Sequence, residues 1–281
     1  MPYAKIKTLV HRTTGIELGE DKDYLIEARL GPLLTSMNFA SYDALADAVV
    51  RDSQGNLRAE LIERIATHET LFFRDESIFT ALTTQIIPEW LARNSVDRPL
   101  RIWCAACATG QEPYSILMLI KESLPHVFDR VKMTATDISE ATVARARLGI
   151  YSQFDVGRGL PAAYSERFFR PMGENFQVIE SIRNAVNFKQ GNLLDLPYEG
   201  AYDIVFCRNV LVYFDMATRV KILEALRKCM NPDSTLILGS SESLFGITDD
   251  YVLRQCGLAR YYEWNTSKIT IFKRPNSQEK I

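Results

Sequence analysis

The sequence predicts an α/β fold opened by a nucleotide-binding strand–turn–helix unit, with an all-helical segment ahead of it. Three observations carry that expectation. A short apolar run at 100–104 breaks into small residues at 105–110 and, after Pro113, resumes as an apolar run of helical character. Proline is tolerated in the first turn of a helix, where its missing N–H has no partner to lose. From residue 101 onward, strand-like and helix-like runs alternate, the pattern of a parallel sheet with crossover helices. Residues 1–95 lack that alternation and place apolar residues at helical spacing instead.

Taken in order, Tyr24, Leu25, Ala28, Leu33 and Leu34 mark one helix, and Tyr42, Leu45, Ala46 and Val49 another, with Ser41 as its N-cap. Gly55-Asn56 separates the latter from a helix at 57–66. A further helix at 76–93 carries the stripe Phe79, Leu82, Ile86, Trp90 and Leu91. Between these last two lies Thr67-His-Glu-Thr-Leu-Phe-Phe-Arg-Asp75, a joint rich in hydroxyls and aromatics. Loops on rigid scaffolds carry a disproportionate share of function. Here Phe72 and Phe73 read as core plugs. Arg74 is, on residues alone, either a solvated charge or a site residue.

In the second part, strand 100–104 leads to helix 113–124, and strand 131–136 ends at Asp137 before a helix at 139–147. An acid at the end of the second strand can accept hydrogen bonds from ribose hydroxyls. It can also cap the next helix, but Ser139 is available for that, which favours the ribose. Residues 150–187 interrupt the alternation. Short strand-like runs at 167–170, 175–178 and 185–188, with Gly173-Glu174 between the first two, predict a small antiparallel insert whose third segment continues into the main sheet. Strand 202–207, helix 216–230 and strand 235–238 follow. Runs at 257–263 and 269–273 predict an antiparallel hairpin at the sheet edge.

The turn at 105–110 has no Gly-x-Gly-x-x-Gly fingerprint, since Gly110 is its one glycine. It carries Glu112 close behind, a poor neighbour for pyrophosphate and a good one for a cationic or hydroxyl-bearing ligand. An ordinary strand-to-helix turn is the competing reading. A formal charge of −2 over 281 residues argues against broad nucleic-acid or membrane attraction. Five cysteines without framework spacing suggest a reducing cytoplasm. Cys104 and Cys107 form a lone C-x-x-C with no second pair, so no metal site is expected. No apolar run approaches the ~18 residues that span a bilayer, and no signal peptide opens the chain.

Five stretches together resemble the chemoreceptor glutamate methyltransferases, the CheR family: Thr70-Leu-Phe-Phe-Arg74, Ala106-Cys-Ala-Thr-Gly-Gln-Glu-Pro-Tyr-Ser115, Thr136-Asp-Ile-Ser139, Gly191-Asn-Leu-Leu194 and Phe206-Cys-Arg-Asn-Val-Leu-Val-Tyr-Phe-Asp215. Each is weak alone; all five in the family's order, across nearly the whole chain, are strong. The resemblance implies an N-terminal helical domain, 1–95, and a Rossmann-like S-adenosylmethionine-dependent methyltransferase domain, 96–281. The latter would have a mostly parallel seven-stranded sheet ending in an antiparallel hairpin, with a β insert at about 151–187. It implies that the small-residue turn at Ala106 lets the cofactor approach and that Glu112 faces its amino-acid end. Asp137 would bind the ribose, and Asn192 and Leu193 would border the adenine. His68, Thr70 and Arg74 would reach in from the helical side. Cys207, Arg208 and Asn209 would line the methyl-donor side, and Tyr213 would stand near the transferred methyl. Tyr213, Arg208 and Arg74 are thus the implied catalytic residues, with no metal.

The implied reaction converts receptor glutamates to methyl esters and leaves S-adenosylhomocysteine. A glutamate, with a reference pKa of about 4.3, is already ionised at neutral pH, so the transfer needs alignment rather than a general base. A hydrogen bond from Arg208 or Tyr213 would then hold the acceptor oxygen, and Tyr213 is expected to position the acceptor without acting as a base. The partner is the cytoplasmic coiled coil of a chemoreceptor. A cytoplasmic monomer is expected, with no nucleic acid partner and no membrane insertion. Two departures from the family are Gln111, where a second glutamate is usual, and His68, where asparagine is common. The second helix, 22–37, is thinly basic, with Lys22 and Arg29. The short turn Pro171-Met-Gly-Glu-Asn175 predicts no use of a receptor C-terminal pentapeptide tether, which in relatives meets an extended glycine-rich loop. The alternatives are a methyltransferase with another acceptor and a non-catalytic relative that binds S-adenosylmethionine or a receptor. The weak basic footprint, and Arg208-Asn209-Val210-Leu211 in place of an Asn/Asp-Pro-Pro-Tyr stretch, weigh against the first.

Overall fold

The computed structural model describes residues 3–195 and 200–265. Four α-helices come first: α1 (Ala4–Thr14), α2 (Asp23–Ser36), α3 (Tyr42–Arg51) and α4 (Asn56–Ile65). Helix α1, which sequence periodicity did not single out, buries Ile6, Leu9 and Val10 at i, i+3 and i+4. Ser41 caps α3, its hydroxyl accepting from the N–H of Ala44. These helices close a core of their own around Ile26, Leu30, Leu45 and Leu61.

The next helical run starts as α5 (Glu76–Ala81), passes through a π-helical turn (Leu82–Ile86) and ends as α6 (Ile87–Arg93). Its stripe of Phe79, Leu82, Ile86 and Trp90 is buried as expected. It packs in the core of the sheet, however, and not with α1–α4. Division by packing therefore falls before α5 rather than at residue 95, because the whole apolar face of this run turns toward the strands.

Strand β1 (Leu100–Ala105) leads to α7 (Gln111–Ser123) and α8 (Pro125–Phe128), then β2 (Val131–Asp137) to α9 (Glu140–Leu148). The insert holds β3 (Ile150–Ser152), α10 (Gln153–Val156), α11 (Ala162–Phe168), β4 (Phe169–Met172), β5 (Asn175–Val178) and α12 (Glu180–Arg183). Then come β6 (Val186–Gln190), β7 (Tyr202–Phe206), α13 (Met216–Lys228), β8 (Met230–Ile237), β9 (Tyr251–Cys256) and β10 (Ala259–Trp264). The main sheet runs β6-β2-β1-β7-β8-β10-β9. Its first five strands are parallel, and β10 is antiparallel to both neighbours. Strand β1 reads as continuously apolar because both faces are covered: Ile102 and Cys104 enter one core, Trp103 and Ala105 the other. The sheet's order reverses at β1, so a crevice opens beyond the carboxyl ends of β1 and β7.

Two strand assignments shift. The C-terminal hairpin is β9–β10 around Gly257-Leu258, one strand earlier than expected, and residues 269–273 lie outside the described residues. The insert is an antiparallel sheet β3-β5-β4, so its third strand is Ile150–Ser152, while 185–188 belongs to the main sheet as β6. The turn at Gly173-Glu174 is as predicted, with Met172 opposite Asn175.

The insert also seats the 67–75 joint. Phe72 is fully buried and meets Tyr151 and Phe169 edge-on, with ring centroids 5.0 and 5.5 Å apart. Burial of such a ring contributes about 1.5–3 kcal/mol. Gly159, at φ +77°, lies under this joint; a Cβ there would sit 2.1 Å from the Phe72 carbonyl oxygen, so no other residue fits. Phe73 donates its N–H to Ser115 Oγ at 3.0 Å, tying the joint to α7.

Candidate active site

A cleft of about 960 Å³ opens at the predicted end of the sheet. Six separated segments line it: the strap at the end of α1, the 67–74 joint, the turn after β1, the end of β2, the end of β6, and the turn after β7. Apart from Asn38, every non-glycine residue of positive φ among the described residues belongs to these segments or adjoins them: Phe73, Asp75, Ala106, Ala108 and Asn209. Such conformations hold about 1–3 kcal/mol of strain each and persist where surrounding structure enforces them.

At the turn after β1, Ala106 and Ala108 have φ values of 62° and 47°. That twist points the N–H of Ala108 at Asp137 Oδ2, 2.8 Å away. Gly110 (φ 93°) closes the turn where a Cβ would meet Ala146 at 3.0 Å and the Tyr151 hydroxyl at 3.2 Å. Asp137 also accepts from the N–H of Ser139 at 3.1 Å. Ser139 itself caps α9, accepting from the N–H of Thr142, so the cap is not the task of Asp137. Burial pushes the Asp137 carboxyl up from its ordinary pKa, against the pull of the two amides.

His68 stands beside Asp137, its Nδ1 4.0 Å from Oδ1 and without a hydrogen bond. Its Nε2 lies 3.1 Å from the Glu63 carbonyl oxygen. A carbonyl only accepts, so Nε2 carries a proton. Glu63, which sequence reasoning missed, reaches from α4 to Ser139 Oγ, Thr142 Oγ1 and Arg145. It joins the helical part to the start of α9 at the edge of the Asp137 turn.

At the other end, Arg208 is buried among charges. Its Nη1 donates to Glu112 Oε2, and its Nη2 to Asp75 Oδ2 and to the Arg74 carbonyl oxygen, each at 2.7 Å. Its side chain is 2% exposed. It borders the cleft, held by these three bonds, while its Nε makes no hydrogen bond. Asn209 donates its N–H at 2.7 Å to Glu242, whose same oxygen accepts from Gly239 at 2.8 Å; this second missed acid ties the ends of β7 and β8. Cys207 corrects an expectation. Its side chain is fully buried in the core with Trp103 and Val205, and burial raises its thiol pKa; it does not line the cleft.

The remaining predicted residues line the cleft: Thr70, Arg74, Asn192, Leu193 and Tyr213. Among the described residues, the Arg74 guanidinium makes no hydrogen bond or ion pair. Asn192 Nδ2 donates to the Thr13 carbonyl at 3.0 Å, and its Oδ1 accepts from the N–H of Leu194. Tyr213 ends a 3₁₀ turn (Leu211–Tyr213) and is half-buried. Thr14 and Ile16 also line the cleft, a contribution of α1 with no sequence signal. Cys104 and Cys107 are buried free thiols of raised pKa. Among the described residues, no helix is long and apolar enough to cross a membrane.

Comparison with known proteins adds to this geometry. Residues 1–66 match the model of the CheR methyltransferase all-alpha domain, and 68–259 that of the CheR methyltransferase SAM binding domain. The chemotaxis protein methyltransferase 1 of Vibrio cholerae is 39% identical over 254 residues, spanning 89% of this chain and 91% of that one. The chemotaxis protein methyltransferase of Vibrio parahaemolyticus is 38% identical over 266 residues, spanning 93% and 96%. The Cher2 chemotaxis protein methyltransferase of Pseudomonas putida is 36% identical over 269 residues, spanning 94% and 98%.

Proposed function

The chain belongs to the CheR methyltransferases, a family of S-adenosylmethionine-dependent enzymes, and from that premise we propose that it esterifies glutamate side chains on the cytoplasmic coiled coil of a chemoreceptor. The observation that carries the reading is the convergence of Arg74, Glu112, Asp137, Asn192 and Tyr213 from separate segments on one cleft.

The residues present fit the cofactor. Asp137 keeps lone pairs beyond those given to two amides, which suits a pair of ribose hydroxyls. Ala106 and Ala108 leave the turn open to close approach. Asp75 and Glu112 outnumber the single charge of Arg208, so this end favours a cation, while unpaired Arg74 suits a carboxylate. His68, Thr70, Leu193 and Asn209 complete the walls. S-adenosylmethionine, when bound, supplies an electrophilic methyl on a sulfonium sulfur. The protein's own task is alignment and exclusion of water, because the glutamate acceptor is already ionised. Tyr213 is the hydroxyl that holds the acceptor, while three bonds to the protein hold Arg208 in place.

The enzyme acts as a cytoplasmic monomer without metal; its near-neutral charge supports the lack of a nucleic-acid or membrane partner. The two-residue turn between β4 and β5 supports independence from a pentapeptide tether. The test is methyl transfer from labelled S-adenosylmethionine to a purified receptor cytoplasmic fragment. Base-labile label released as methanol is expected. Base-stable label means another acceptor; no label with S-adenosylhomocysteine still bound means a binding relative. Micromolar affinity for a free receptor-tail pentapeptide would refute tether independence.

A further inference from the structure

The end of α1 is fastened to both sides of the cleft. On one side Asn192 Nδ2 donates to the Thr13 carbonyl at 3.0 Å. On the other, Ile16 pairs antiparallel with Phe214, and the N–H of Glu17 donates to the Tyr213 carbonyl at 2.8 Å. One turn back along α1, His11 Nε2 lies 2.7 Å from Asp215 Oδ2, with Glu17 Oε2 3.8 Å from the same nitrogen. The other oxygen of Asp215 accepts from the N–H of Thr218 at 2.7 Å and caps α13. The amide of Thr218 first, and His11 second, hold the Asp215 carboxyl below its usual range. The backbone around Tyr213 is thus gripped by a strap from the helical part at its carbonyl and by the His11–Asp215 hydrogen bond two residues on.

We propose that His11 is a positioning residue for Tyr213, acting through Asp215 and the 13–17 strap, so that the helical part of the molecule sets where the Tyr213 hydroxyl stands. This deepens the reading above and rests on it, since it takes Tyr213 as the group that holds the acceptor. The pair is ill suited to a merely stabilising role. His11 and Asp215 are 42% and 33% exposed, and such pairs contribute about 0–1 kcal/mol to folding. Alignment is far more sensitive: a displacement of about 1 Å at a reacting centre lowers rate by roughly 100-fold. Loss of the pair leaves the fold intact and loosens the turn that presents Tyr213.

The test compares His11→Ala, His11→Gln, Tyr213→Phe and the double variant His11→Ala/Tyr213→Phe. A control, Lys5→Ala, breaks the Lys5–Asp47 pair between α1 and α3, away from the cleft. In His11→Ala, kcat should fall about tenfold while KM for S-adenosylmethionine stays within about twofold. His11→Gln, which keeps a neutral donor, should recover most of the loss. In the Tyr213→Phe background, His11→Ala should add little, the non-additivity expected of residues acting as one unit. Without any ligand, amide exchange in His11→Ala should quicken at 13–17 and 211–215 but not elsewhere in α1–α4, and Lys5→Ala should change neither readout. Unchanged kcat, fully additive losses, or exchange quickened evenly across the helical part would each overturn the proposal. A wild-type protein that transfers no methyl would defeat the functional reading, and the exchange measurement would still decide whether His11 holds the turn.

Discussion

At one end of the cleft Arg208 is wrapped by two carboxylates and a carbonyl, all at 2.7 Å. At the other, His68 Nδ1 stops 4.0 Å short of Asp137 and bonds to nothing. The same nine-residue joint, Thr67 to Asp75, supplies groups to both ends. Its last residue closes the charged cluster; its second faces the open one. At the first end the guanidinium of Arg208 is held by three bonds before any ligand arrives and offers a fixed field. The second keeps hydrogen-bonding capacity in reserve, as a site for hydroxyl groups must. Rigidity and vacancy of bonding are thus divided along one cavity, and only the second should respond finely to changes in affinity.

Removal of Arg208 would break this comparison most severely. Arg208→Ala leaves Glu112, with its side chain 13% exposed, and Asp75, at 30%, without their shared cation. The expected loss is about 3–5 kcal/mol, read by urea denaturation, together with loss of methyl transfer. A loss below about 1 kcal/mol would mean that the cluster behaves like a surface pair.

At the reserve end the effect should be smaller and of another kind. Glu63→Ala removes the acceptor that holds Ser139, Thr142 and Arg145 against α4. S-adenosylhomocysteine affinity, measured by calorimetry, should weaken by about 1–2 kcal/mol, with kcat at saturating cofactor close to wild type. A fall in kcat at unchanged affinity would reverse the assignment of the two ends.

The smallest effect should come from pH. Burial raises the Asp137 carboxyl, so on acidification it takes up a proton before a free aspartate does. Cofactor affinity should weaken as pH falls from 7 towards 5, by about threefold, and return as pH rises. Folding responds to this group in the opposite sense. An acid whose folded pKa is raised destabilises the fold when ionised, and that penalty fades as pH drops through the folded value. Weaker binding without a matching contribution to a lower melting temperature is therefore the signature, and Asp137→Asn should abolish the pH response.

Much of this architecture is legible in the residues because it is written in local periodicity. β1 and β7 are apolar on both faces, and the 76–93 stripe repeats at helical spacing. The recognised motifs fall on the segments lining the cleft. What was illegible depends on distance along the chain. Glu63 meets Ser139 across 76 residues, and Asp75 meets Arg208 across 133. Neither acid stands in a spacing that hints at its partner. His11 is further still, 204 residues from Asp215. Cys207 misled because it adjoins the motif while its side chain alternates to the core side of the strand end. β9 escaped because it is an edge strand, largely exposed and without a buried alternate face to betray period two. Ile150–Ser152 is simply too short to show a period.

Phe72 has a bearing on how this family's parts can be exchanged. The residues that the joint sends into the cleft are rooted in an aromatic seat made by Tyr151 and Phe169, on two strands of the insert. The small sheet is thus both a peripheral appendage and a foundation. A chimera that grafts another relative's insert must carry a matching seat and a glycine at the position of Gly159. Without them, a donor chosen for its docking properties would unsettle Thr70 and Arg74, and a swap meant to alter partner choice would be read as a loss of catalysis.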